Sequence, residues 1–158
     1  MFNHAPGKYI CPLCNAVGGI ETPGRSVKKQ DIVYQDKLVT AFIAGKWWVN
    51  SPGHVIVIPN KHIENIYDIT AEYSHRIADI AREVAIALKK TYKCDGVSLR
   101  QHNEPAGNQD VWHYHLHVFP RKKGDELYVN HLKTNWVTPA ERLPYAKKLK
   151  KYFDKLNK

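Results

Sequence analysis

Residues 112–121 read WHYHLHVFPR and place His113, His115 and His117 at every second position. In an extended strand such residues share one face, about 7 Å apart along the chain. Tyr114, Leu116 and Val118 then point the other way, toward a core. An apolar face backed by an imidazole face describes a sheet strand packed on one side and open to chemistry on the other. As inert filler, each of the three histidines would need a buried hydrogen-bond partner. Two chemical uses compete with that. H-x-H on a strand can hold zinc or iron. Alternatively, a neutral imidazole can attack phosphorus while a flanking one stabilises charge or shuttles a proton.

Working outward, Val111 to Pro120 reads as one strand. The loop HNEPAGNQD (102–110) precedes it, and Val97 to Gln101 reads as another strand. Further upstream, Ile77, Ile80, Ala81, Val84 and Leu88 recur at helical spacing behind Thr70, a good N-cap, with Glu72 in the first turn and Lys89 and Lys90 in the last. A helix is expected over 71–92. Val55 to Ile58 is a buried-type strand ended by Pro59, and 32–34 with 38–42 form a hairpin around Gln35-Asp36-Lys37. GKWWVNSPGH (45–54) reads as a loop carrying two tryptophans. Downstream, Thr138-Pro139-Ala140-Glu141 is a capping box opening a helix with Leu143, Ala146, Leu149, Phe153 and Leu156 on one face. The order β-β-β-α-β-β-α predicts an antiparallel sheet with helices on one face, an α+β layout. The strands are too few and too unevenly spaced for a sandwich or cupin-like barrel. One domain spanning 1–158 is expected, with its motifs in about 9–121 and a helical tail over about 138–156.

Composition narrows the partners. The net charge is +9, from 24 Lys and Arg against 15 Asp and Glu, and this favours anions such as nucleotides and phosphates. Nucleic acid is disfavoured because no base-reading motif accompanies the charge. The lysines at 147, 148, 150, 151, 155 and 158 read as the solvated face of the last helix. The longest aliphatic run, Val55 to Ile58, is far too short for a membrane, and MFNHAPGKYICPLC lacks a signal peptide's apolar core. A cytoplasmic location is the expectation. Cys11-Pro-Leu-Cys14 reads as a metal knuckle or a redox pair, and a redox role would need a βαβ setting that the following Gly18, Gly19, Pro23 and Gly24 do not suggest. Cys94 reads as a packed thiol.

The surroundings favour phosphate chemistry. Asn103, Gly107, Asn108 and Gln109 supply amides and flexible backbone next to the imidazoles, and SPGHVIVIPNKH adds His54 and His62 at the two ends of a strand.

HYHLHVF resembles the signature of the histidine triad nucleotide hydrolases and transferases. PGHVIVIPNKH resembles that family's second motif, NEPAGNQDVWHYHLHVFPR its third, and CPLC the zinc knuckle of its zinc-containing bacterial branch. The resemblance runs from about Tyr9 to Arg121. It implies a five-stranded antiparallel sheet, a homodimer, and a purine nucleotide bound beside the triad. It implies that His115 attacks the α-phosphorus, with a backbone carbonyl fixing its other nitrogen, and forms a nucleotidyl-histidine that water releases. By the same resemblance His117 and His54 contact the phosphate or assist proton transfer, Gln109 bonds near the bridging oxygen, and Asn103 helps hold the phosphate. Cys11, Cys14, His62 and His113 map onto a structural zinc site, which would leave His115 and His117 for chemistry.

The sequence departs from the pattern in three places. The loop before His54 is longer by about two residues and holds Trp47 and Trp48, either of which can stack on a base or serve packing. The acidic ribose-binding residue is missing there, with Ala44 or Lys46 in its place. The stretch from Asn103 to His113 is one residue short, so Asn108 can replace Asn103. Asp110 stands where Ser or Thr is usual near the leaving group, and an ionised carboxylate there repels a phosphate-rich leaving group. Substrates under consideration are dinucleoside polyphosphates, nucleoside phosphoramidates and adenylylated compounds. A nucleotidyltransferase, a non-catalytic nucleotide-binding or partner-bridging module, and a metalloenzyme using all three histidines remain as alternatives. Against transfer, the uridylyltransferase branch carries glutamine where His117 stands.

Overall fold

The computed structural model describes residues 2–21, 27–130 and 132–156. Its elements in chain order are α1 (Pro12–Val17), β1 (Ile32–Gln35), β2 (Val39–Ile43), β3 (Lys46–Trp48), β4 (Val55–Pro59), α2 (Ala71–Tyr92), β5 (Gly96–Gln101), β6 (Leu116–Arg121), β7 (Thr134–Trp136) and α3 (Pro139–Leu156). Five strands form one antiparallel sheet in the order β1-β2-β4-β6-β5. The α+β fold follows the expectation.

Strand alternation divides this sheet. Val39, Ala41, Ile43, Val55, Val57 and Val118 face α2 and α3, meeting Ile77, Ile80, Ala81, Val84, Leu88, Ala146, Leu149 and Phe153 in the main core. The opposite face carries Phe42 and Ile58, which pack with Cys11 and Leu13 of the N-terminal segment. His117 and Phe119 stand on this second face, so the helices support the functional surface from behind.

α2 has the expected bounds. Thr70 is extended at its N-cap but makes no side-chain capping bond, while Lys93 closes the other end in the left-handed region (φ 55°). At α3 the capping box is formed: the Thr138 amide donates to Glu141 (2.7 Å) and the Glu141 amide to the Thr138 hydroxyl (3.3 Å). The apolar face ends earlier than expected, for Leu156 is exposed. Lys147, Lys148, Lys151 and Lys155 are exposed as expected, Lys150 is instead half-buried and donates to the Gln30 carbonyl (2.9 Å), and Lys158 lies outside the described residues.

Two expectations are corrected. First, the histidine strand begins at Leu116, not Val111. Its pairing stops there: Leu116 pairs with Gln101, the last residue of β5, and with Val57 of β4, whose Ile58 and Pro59 pair only with β2. Before it the chain turns, with the His113 amide donating to the Val111 carbonyl (2.8 Å) and the Tyr114 amide to the Ile63 carbonyl (2.6 Å). Second, the tryptophan loop contains a strand. β3 pairs with β7, Trp47 opposite Asn135 and Trp48 opposite Thr134. The partner segment lies far along the chain and has no alternating pattern, so local reading gives no signal. A short helix, α1, also follows Cys11, whose sulfur caps it by accepting from the Cys14 amide (3.4 Å).

No helix among the described residues is long and apolar enough to cross a membrane.

Candidate active site and metal centre

His115 is buried. Its Nδ1 donates to the His113 carbonyl (2.7 Å), so the lone pair is on Nε2. Burial pushes its pKa down; the same carbonyl and the Asp110 carboxylate oppose that shift. A buried, uncharged imidazole of fixed tautomer is a competent nucleophile.

His117 stands beside it, ring centroids 5.1 Å apart. Its Nδ1 lies 3.3 Å from Nε2 of His54, and Nδ1 of His54 has no hydrogen-bond partner. A buried N–H without an acceptor is rarer and costlier than a bare acceptor. The lower-cost tautomer therefore has His54 Nε2–H donating to His117, which keeps its own proton on Nε2. Burial pushes His54 down to about 3, with Arg100 adding to the effect, and holds His117 well below its ordinary value.

Gly53 sets the position of His54. Its φ of 73° lies in the left-handed region, and a Cβ there would collide with the Tyr145 ring of α3. Trp48 covers the histidines edge-on, 5.4 Å from His54, 5.7 Å from His117 and 5.2 Å from Phe119. Trp47, facing the other way, is not brought to the site. It packs edge-on against Tyr145 (5.1 Å), and its indole N–H donates to the Ala44 carbonyl (2.7 Å). Of the two tryptophans, only Trp48 reaches the imidazoles.

The loop residues bond mainly to one another and to backbone. Gln109 is buried with its amide committed to backbone: Nε2 donates to the Glu64 and Val111 carbonyls (2.7 and 3.1 Å), and Oε1 accepts from the Glu104 amide (2.8 Å). It fixes Glu104 at φ 61°, a conformation rare outside glycine. Asn103 is bonded to Gln101 and to the Ile66 amide. Asn108 is exposed in a left-handed turn, and Asp110 is exposed at the rim. These residues shape the loop bordering the triad.

Sequence reading missed His102 and Arg100. His102 places its ring 6.3 Å from that of His117, its Nδ1 held by the Gly107 carbonyl. Arg100 lies opposite His117 across β5 and β6. Arg100 and His102 are two residues apart at the end of β5, but only the pairing of Arg100 with His117 shows that this face meets the triad.

On the far side of His113, Cys11, Cys14, His62 and His113 converge, their donor atoms all within 4.8 Å of one another. Cys11 Sγ and Cys14 Sγ lie 3.3 and 3.5 Å from His113 Nδ1, and Cys14 Sγ lies 3.3 Å from His62 Nδ1. His113 Nε2 bonds the Pro59 carbonyl (2.9 Å), which turns Nδ1 inward. Two sulfurs and two imidazoles at these separations fit a closed tetrahedral zinc site. Burial pushes the Cys14 thiol up to about 12, a cost that a bound cation would reverse.

Comparison with known proteins agrees with the fold. A Bacillus subtilis protein named hit is 32% identical over 116 residues, covering 73% of this chain and 74% of that relative. The purine nucleoside phosphoramidase of Escherichia coli K12 is 36% identical over 91 residues, 56% of this chain and 73% of the enzyme. The crystal structure of a zinc-bound histidine triad family protein from Mycobacterium smegmatis superposes with a TM-score of 0.73 at 24% identity, covering 93% of this chain and 95% of that one. Residues 25–124 match the HIT domain, and the chain belongs to the HIT domain family.

Proposed function

We propose that this protein hydrolyses a nucleotide substrate at its α-phosphate through a covalent intermediate on His115. The observation that carries the reading is the buried His115, whose Nδ1–H is tied to the His113 carbonyl so that Nε2 alone is free to attack. Nε2 bonds to phosphorus and the bond to the leaving group breaks, that group departing with the electron pair and taking a proton from solvent. Water then attacks the nucleotidyl-histidine, releasing a nucleoside monophosphate and restoring the imidazole. His117, with its proton on Nε2, donates to a phosphoryl oxygen. His54 orients His117, and Gln109 acts through the loop it braces. The relative that hydrolyses purine nucleoside phosphoramidates makes that substrate class the first to test.

Cys11, Cys14, His62 and His113 would hold zinc as a structural ion that pins the N-terminal segment and the end of β4 to His113. Because the His113 carbonyl also holds His115, the ion would stabilise the nucleophile's support. A homodimer belongs to the same reading. β5 ends the five-stranded sheet, and its Leu99 is 55% exposed.

The test is a turnover screen across nucleoside phosphoramidates, dinucleoside polyphosphates and adenylylated compounds, run on wild type and His115→Ala. Turnover in the wild type that drops by at least ~10⁴-fold in the variant, with nucleotide binding retained, supports the reading. Full activity in His115→Ala contradicts it.

A further inference from the structure

The histidine face carries one fixed positive charge that the scheme above does not use. Arg100 stands across from His117, on the same face of the sheet. Its guanidinium lies over the Trp48 ring (5.6 Å) and near the Phe119 ring (5.9 Å), the two aromatic groups that also border His54 and His117.

Stacking satisfies the faces of a guanidinium but not its in-plane N–H groups. Nη1 of Arg100 is buried and makes no hydrogen bond. Arg76, Arg121 and Arg142 each hold an aspartate: Asp36 at 2.7 Å, Asp125 at 2.6 Å and Asp31 at 2.8 Å. No carboxylate pairs with Arg100 among the described residues. Arginine cannot shed its charge, so a buried bare N–H costs stability unless something else accepts from it. The neighbouring imidazoles carry no negative charge, since burial holds His54 and His117 neutral, and the bare Nδ1 of His54 makes no bond to Nη1. A planar cation clamped by its faces, with a donor left over beside His117, is arranged to receive an anionic oxygen.

We propose that Arg100 binds a phosphoryl oxygen of the substrate, with Trp48 and Phe119 holding the guanidinium in place for it. This rests on the reading that the histidine face takes a nucleotide. Under it the site neutralises phosphate charge with a fixed arginine and leaves the histidines uncharged for attack and hydrogen bonding. It also gives the inserted tryptophan strand a role: β3 brings Trp48 over Arg100, and β7 keeps β3 there.

The experiment is calorimetric titration of AMP, adenosine and inorganic phosphate into wild type, Arg100→Met and Arg100→Lys, with thermal melts of all three. Methionine keeps the apolar stem against Trp48 and Phe119 and removes the unpaired charge, so its melting temperature should hold or rise. The expected result is a roughly 10–100-fold loss of AMP affinity in Arg100→Met, the size of one or two charge-assisted hydrogen bonds. Adenosine affinity stays within about twofold, and lysine recovers part of the loss. Equal AMP affinity in wild type and a folded Arg100→Met overturns the assignment of Arg100 alone. Inorganic phosphate binding that depends on Arg100, in a protein indifferent to AMP and adenosine, upholds Arg100 and overturns the nucleotide reading. A wild type that binds neither AMP nor inorganic phosphate overturns the assignment outright.

Discussion

His54 sets the terms of the site at the scale of single residues. It is wholly buried, stacked on Phe119 at 4.6 Å, and held at about 3 against an ordinary histidine value of 6.5. The unfolded chain therefore takes up a proton between pH 6.5 and 3 that the native state refuses. This contribution is fully present above pH 6.5 and is lost as pH falls toward 3. At pH 5 the loss is about 2 kcal/mol from His54 alone. Urea unfolding at pH 7.5 and pH 5 should show that decline, and His54→Leu should reduce it by about 2 kcal/mol, leaving the share of His115 and His117. An unchanged slope in the variant would mean that His54 is not held neutral. That His115 and His117 stand side by side was legible from their spacing. The tautomer chain through His54 was not, because it depends on which nitrogens meet across β4 and β6.

At the scale of elements, the two long helices were readable to their ends because apolar periodicity, caps and turn residues agree. The histidine strand was not, because a strand begins where its pairing with neighbours begins, and that is set by distant residues. The alternation at 113, 115 and 117 is real, yet only His117 lies in a paired strand; His113 and His115 belong to the turn that feeds it. α3 shows another limit of pattern reading. Between its apolar positions sits Arg142, 1% exposed and paired at 2.8 Å with Asp31, which is fully buried just before β1. Arg142 also donates to the Val137 carbonyl (2.7 Å). Periodicity places position 142 on the buried stripe with Ala146, Leu149 and Phe153, and only its residue type assigns it to solvent. Removing one partner of such a pair leaves a buried charge and costs about 3–5 kcal/mol. Asp31→Ala should therefore lower the unfolding free energy from denaturant titration by that amount, while the double change Asp31→Leu with Arg142→Met should recover much of it. A shift below about 1 kcal/mol in Asp31→Ala would show that α3 is not anchored through this pair.

At the scale of the whole molecule, the cysteine knuckle, β4 and the histidine turn meet at one point. The four-residue cluster was legible only through the family resemblance, since spacing alone pairs Cys11 with Cys14 but does not select His62 and His113. The geometry supports a structural ion, so chelation should lower Tm by roughly 10 °C, each kcal/mol lost being worth ~2–4 °C at this size. Purified protein that contains no metal and melts unchanged after chelation would contradict it.

The account's central claim is that His115 Nε2 forms a bond to phosphorus, and the measurement that bears on it most directly is intact-mass analysis. Wild type and His115→Ala are mixed briefly with an adenosine phosphoramidate and quenched at alkaline pH, where a phosphorylated imidazole survives. The account predicts a transient adenylyl adduct that maps to His115 in the wild type and is absent from the variant. An adduct that persists in His115→Ala, or turnover by the wild type with no adduct at any quench time, would contradict it.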